Sequence, residues 1–84
     1  MCVCVITDEV CYTGNGQSYR GIAHMTLSRN KCTPWSHQFH VKTSDYPELV
    51  GHSFCRNPGE MEDKPWCYTE YNQREKCNVP KCGR

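Results

Sequence analysis

At 84 residues the chain has room for one domain, not two. Only 37% of its residues are hydrophobic even with eight cysteines and five tyrosines counted, so an apolar core alone is too small to hold it together. A formal charge of +1 argues against the strongly basic surface that nucleic acid or an anionic membrane selects for.

In chain order, Met1 to Val5 is too short for a signal peptide. Met1 ahead of a cysteine-dense chain suggests a fragment of something longer. Cys2 and Cys4 come next, two residues apart. Gly14, Gly16 and Gly21 flank a polar stretch and predict turns. Pro34, Pro47 and Pro80 interrupt any helix longer than two turns. Gly51 to Cys55 is a first candidate strand. Asn57, Pro58 and Gly59 predict a turn, and Lys64 with Pro65 another. Trp66 to Tyr71, rich in aromatics, is a second candidate strand. Both strands are too short to stand alone. No heptad, no sustained helical period and no stretch apolar enough to span a membrane is present. Neither does any Asn-x-Ser/Thr acceptor site occur. The elements add up to a small, disulfide-rich, loop-rich fold with a little antiparallel sheet.

Eight cysteines in so short a chain are the mark of a disulfide scaffold. Disulfides persist in oxidising compartments, which places the protein outside the cell, in the secretory lumen or in an ectodomain. Spacing alone does not choose among about a hundred complete pairings. Zinc is the rival reading, since His24, His37, His40 and His52 accompany the cysteines. No Cys-x2-Cys pair exists, however, and the histidines show no ligand spacing against the cysteines. They are read as surface or hydrogen-bonded core groups, with no metal and no cofactor.

From Cys11 onward the residues resemble a known family. Cys11-Tyr12-Thr13-Gly14-Asn15-Gly16-Gln17-Ser18-Tyr19-Arg20-Gly21 resembles the opening of a kringle domain, and Cys32 with Trp35 its second cysteine and following tryptophan. Cys55-Arg56-Asn57-Pro58 and Pro65-Trp66-Cys67-Tyr68 resemble its most diagnostic block. Cys77-Asn78-Val79-Pro80-Lys81-Cys82 resembles its close. The resemblance implies three nested disulfides: Cys11–Cys82, Cys32–Cys67 and Cys55–Cys77. It also implies a kringle over residues 11–82, with an extension over 1–10 and a short tail over 83–84. Trp35, Tyr19, Leu49 and Phe54 are expected in the core.

The stretch from Cys32 to Cys55 is shorter than in plasminogen-type kringles. Tyr46-Pro47-Glu48-Leu49-Val50-Gly51-His52-Ser53-Phe54-Cys55 looks most like the kringle of the orphan receptor tyrosine kinases that also carry a Frizzled-like domain. Cys2 and Cys4 lie outside the family pattern. A ring between them would be strained, and a partner in a neighbouring module or another chain is the alternative.

Kringles that bind lysine do so in a trough where carboxylates hold the ammonium and aromatic walls hold the methylenes. The resemblance puts Trp66 and Tyr68 at the wall and Glu60, Glu62 and Asp63 in the acidic loop. That loop is one residue longer than in lysine-binding members. The second wall tryptophan is replaced by Arg74, with Gln73 before it, so Arg74 can supply a cation but not a wall. Each residue also has a plain structural reading: Trp66 as a packed aromatic beside Cys67, the acidic loop as a solvated surface. Arg20, Arg29, Lys31 and Lys42 offer a sulfated-glycan patch, or a scattered basic face.

No Gly-x-Ser-x-Gly elbow and no His-Glu-x-x-His motif is present, so an enzyme is not expected. The resemblance implies a non-catalytic extracellular module for protein–protein recognition, in a receptor ectodomain or a secreted multidomain protein. Its partners would be a protein ligand or neighbouring domains, with no nucleic acid and no membrane insertion. Two alternatives stand beside it. One is a lysine- or sulfated-glycan-binding kringle of the plasminogen or hepatocyte growth factor kind; the other is a structural spacer.

Overall fold

The covalent frame comes first, because little else in this chain is strong enough to fix the loops. A computed structural model describes residues 10–70 and 72–82. Its disulfides are Cys11–Cys82, Cys32–Cys67 and Cys55–Cys77, with Cα separations of 5.1, 5.6 and 6.3 Å. This is the pairing that the resemblance implied, and each separation suits an ordinary bridge. The two inner bridges cross at the centre. Cys32 Sγ lies 3.7 Å from Cys55 Sγ and 4.0 Å from Cys77 Sγ. All four inner sulfurs sit within 4.8 Å of one another. Bonded in pairs, they are not thiolate ligands, however close their grouping.

Around this knot lies an aromatic triad. The Trp35 and Trp66 rings meet edge to face at 5.1 Å, Trp66 and Tyr68 at 5.1 Å, and Trp35 and Tyr68 at 6.0 Å. Such geometry sets the positive edge of one ring against the negative face of the next. Both indole N–H groups have acceptors. Trp35 Nε1–H donates to the Phe54 carbonyl at 2.7 Å, and Trp66 Nε1–H to Asn57 Oδ1 at 3.0 Å. Tyr12, Tyr19, Val41, Leu49 and Val79 complete the core around them. Burying each of the large side chains contributes roughly 1.5–3 kcal/mol.

Regular structure is sparse. Among the described residues, single turns of 3-10 helix span Trp35–His37, Pro47–Leu49 and Pro58–Glu60. Proline opens the second and third, where its fixed φ suits the turn and its missing N–H has no partner to lose. Two strands, β1 (Trp66–Tyr68) and β2 (Arg74–Lys76), pair antiparallel. The register sets Trp66 opposite Lys76, Cys67 opposite Glu75 and Tyr68 opposite Arg74. A parallel bridge between Tyr12 and Lys81 closes the two ends beside Cys11–Cys82.

Two expectations need correction. Gly51 to Cys55 is not a strand, and β1 takes Arg74–Lys76 as its ladder partner instead. The donors of that stretch go elsewhere: Phe54 N–H to His52 Nδ1 at 2.9 Å, Cys55 N–H to the Ala23 carbonyl at 2.8 Å. One residue beyond this stretch, Arg56 meets β1 through a bridge to Trp66. Phe54 is half-buried, not core, stacked on the His52 ring at 4.9 Å. Trp35, Tyr19 and Leu49 are buried as expected. Cys2, Cys4, Tyr71 and the tail at 83–84 lie outside the described residues.

Candidate functional site

The site is built on the hairpin. Trp66 and Tyr68 are two residues apart on β1 and therefore share a face. Arg74 lies directly across from Tyr68, so its side chain rises on that same face. Its guanidinium carbon lies 4.4 Å from the Trp66 ring centroid and 5.9 Å from that of Tyr68. Nη1 donates to Glu62 Oε2 at 3.0 Å, and Nη2 lies 3.5 Å from the Tyr68 hydroxyl oxygen. The Tyr68 hydroxyl and the Glu62 carboxylate together raise the Arg74 pKa above its ordinary value.

Glu62 is held on station by one buried amide. Asn57 Oδ1 accepts the Glu62 N–H at 3.0 Å, and Asn57 Nδ2 donates to the Glu62 carbonyl at 2.7 Å. That amide also accepts from Trp66 Nε1 and donates to the Asn15 carbonyl at 2.6 Å. Wall and acidic loop are thus tied together through the Asn57 amide as well as through Arg74. The residue before Asn57 is as unusual. Arg56 is 5% exposed, donates from Nη1 to the Gly21 and Cys55 carbonyls, and has no acceptor for Nε among the described residues. Its guanidinium lies 5.8 Å from the Tyr19 centroid and 5.7 Å from that of Phe54. Burial, with repulsion from Arg20 behind it, lowers its pKa to about 10.

Of the six residues expected in a ligand trough, four come together: Glu62, Trp66, Tyr68 and Arg74. Trp66 has no exposed surface and Tyr68 almost none. The other two point to different partners. Glu60 accepts from Asn15 Nδ2 at 2.9 Å, and Asp63 pairs with Lys76 at 2.8 Å. The Lys76 hydrogen bond holds the Asp63 carboxyl below its usual range, and Asp63 in turn raises Lys76. Among the basic residues, Arg29 and Lys31 share a shallow hollow with Thr69 and Glu70. Arg20 donates to the carbonyls of Gln17 and Tyr19 in its own turn. Lys42 is exposed and caps the turn to Asp45 through its carbonyl.

Of the histidines, His24, His37 and His40 are exposed. His52 is half-buried: Nε2 lies 2.7 Å from the Glu48 carbonyl and Nδ1 accepts the Phe54 N–H. The roles of Arg56 and Asn57 escape a sequence reading, although both sit in the motif after Cys55. Their partners lie as far off as Asn15 and Gly21, and nothing local signals them.

Comparison with known proteins agrees with this architecture. The family model described as Kringle domain matches residues 11–82. The chain is 42% identical over 78 residues to the tyrosine-protein kinase transmembrane receptor Ror of Drosophila melanogaster, covering 89% of this chain and 11% of that protein. It is 43% identical over 80 residues to plasminogen of Capra hircus, covering 87% of this chain and 64% of that sequence. With human tissue-type plasminogen activator the identity is 40% over 84 residues, covering 87% of this chain and 15% of that protein. The chain therefore spans about a tenth of the receptor, and less than two thirds of either of the other two. A family match across the span that the outer disulfide encloses makes this chain a member of the kringle domain family.

Proposed function

We propose that this kringle is an extracellular recognition module that binds a protein partner, within a receptor ectodomain or a secreted multidomain protein, with residues 11–82 as the working unit. Kringle domains are non-catalytic modules. Likeness to a transmembrane receptor and to plasminogen makes part of the case, and three disulfides suit an oxidising compartment. The observation that carries the reading is Arg74. With its guanidinium on Trp66 and its charge paired to Glu62, the aromatic face that would hold a free lysine is covered, which favours a macromolecular partner.

The test is made in the parent protein. Deleting residues 11–82 while the neighbouring modules stay folded abolishes partner binding on this reading. Unchanged binding after the deletion refutes it in favour of a spacer.

A further inference from the structure

Two arginines meet at the turn over residues 19–21, and each is fixed in the same way. Arg20 donates from Nη1 to the Gln17 and Tyr19 carbonyls at 2.9 and 2.8 Å. Arg56 donates from Nη1 to the Gly21 and Cys55 carbonyls at 2.9 and 2.7 Å. In both, one nitrogen serves the backbone twice and the Nε–Nη2 edge is left over. Among the described residues no acceptor meets that edge in either arginine, and the ion pairs are Arg74–Glu62 and Lys76–Asp63. Arg56 Nε is enclosed, whereas its Nη2 keeps contact with solvent.

A buried cation with no counter-charge is unfavourable, and such a group is ordinarily paired. Here the surroundings add to the strain on it. Arg20 repels Arg56, and both repel a proton on His52, whose ring stacks on Phe54 beside the Arg56 guanidinium. Glu48 offsets this in part, from beyond ion-pair reach. The Tyr19 and Phe54 rings flank the guanidinium, with centroids 5.8 and 5.7 Å away. The cluster is thus a fixed excess of positive charge with unused donors, and Arg20 on its exposed side.

We infer that Arg20 and Arg56 form a two-guanidinium site for a carboxylate, supplied by an aspartate or glutamate side chain of a protein partner. The site uses no residue of β1 or β2, and it takes the recognition reading above as its basis. One carboxylate oxygen pair matches the free Nε–Nη2 edge of Arg20, the fork geometry that makes such pairs strong, and from there reaches Arg56 Nη2. A carboxylate fits better than a sulfated glycan, which needs a row of cations. Arg29 and Lys31 do not extend the cluster into one, because they line a different hollow with Thr69 and Glu70.

The experiment uses the oxidised chain and acetate, titrated to about 50 mM with chloride holding the ionic strength constant, and follows the arginine Nε–H and His52 ring signals by NMR. In the wild type the Arg20 and Arg56 signals shift together and saturate, with a dissociation constant of about 10 mM or below. Arg20→Gln, a change at an exposed side chain, weakens the response at Arg56 at least about tenfold, and Arg29→Gln leaves it unaltered. No saturable shift at Arg56 in the wild type overturns the inference. So does equal affinity in Arg20→Gln and the wild type, or equal weakening by Arg29→Gln. Sulfate is titrated in parallel, and binding about tenfold tighter than acetate at the same signals overturns the carboxylate assignment in favour of a sulfated ligand. The two failures are distinguishable. Acetate tests the site on this chain, whereas deleting residues 11–82 from the parent protein tests the recognition reading.

Discussion

Replacing Asn57 by alanine tests the whole junction between acidic loop and aromatic core. The amide is 1% exposed and uses its full capacity: two donors, to Asn15 and Glu62, and two acceptor positions, for Glu62 and Trp66. Losing it strands the Trp66 indole N–H, whose side chain has no exposed surface, at a cost of roughly 1–3 kcal/mol. The other three partners are backbone groups of half-buried Asn15 and Glu62, which water can partly reach. Each of these loses about 0.5–1 kcal/mol, and the total comes to about 2.5–6 kcal/mol. A domain this small has a stability of about 5–10 kcal/mol, so the variant is folded but close to the edge. The assay is urea unfolding with disulfides intact, followed by tryptophan fluorescence. Asn57→Asp sharpens the test. It keeps both acceptors, but turns a carboxylate toward two carbonyl oxygens, which pushes its own pKa up. Its deficit should be large at pH 7 and shrink on acidification as the carboxyl regains a donor. A loss below about 1 kcal/mol for Asn57→Ala, or Asn57→Asp as stable as the wild type at pH 7, would refute the reasoning.

Two further outcomes follow from particular positions. Gly16 has φ +86°, and a Cβ there would lie 2.5 Å from Pro65 Cδ, whereas a Cβ at Gly51, with φ +82°, would meet no atom of the described residues within 4 Å. Gly51→Ala should therefore cost only the backbone term, about 1–2 kcal/mol, and Gly16→Ala clearly more, read as the shift in unfolding midpoint. Burial holds His52 below its ordinary value of 6.5; Arg56 and Arg20 push the same way, and the Glu48 carbonyl opposes them. The native state thus binds fewer protons here than the unfolded chain. Stability from this group is complete above about pH 6.5 and falls as pH drops toward the lowered value. His52→Gln should flatten that slope, and an unchanged slope would exclude His52 as its source.

The disulfide frame and its pairing were legible through the resemblance, and so were Trp35, Tyr19 and Leu49 as core. What the sequence concealed lies in contacts between distant loops. Gly51 to Cys55 has strand-like composition, yet the His52 ring takes the Phe54 N–H that a ladder would have used. Arg74 reads on paper as a missing tryptophan. Only the pairing of Tyr68 with Arg74 shows that its guanidinium covers the face of Trp66. Asn57 reads as a turn residue before proline, which it is, but its amide reaches 42 residues back to Asn15. Such long-range polar contacts leave no periodic trace in a sequence this irregular.

The crossing of the inner bridges bears on how the chain survives the loss of a cysteine. Thiol–disulfide exchange needs a thiolate within reach of a sulfur in another bond. Removing Cys77 alone would strand Cys55 with its sulfur 3.7 Å from Cys32, already beside the bond it would attack. The exchange product joins Cys32 to Cys55 and frees Cys67, passing the unpaired thiol into the strand that carries Trp66 and Tyr68. Removing Cys55 and Cys77 together leaves no attacker at the centre. Close packing of two bridges thus makes an odd cysteine count more hazardous than a missing pair, and the damage is relayed to a residue that was never altered.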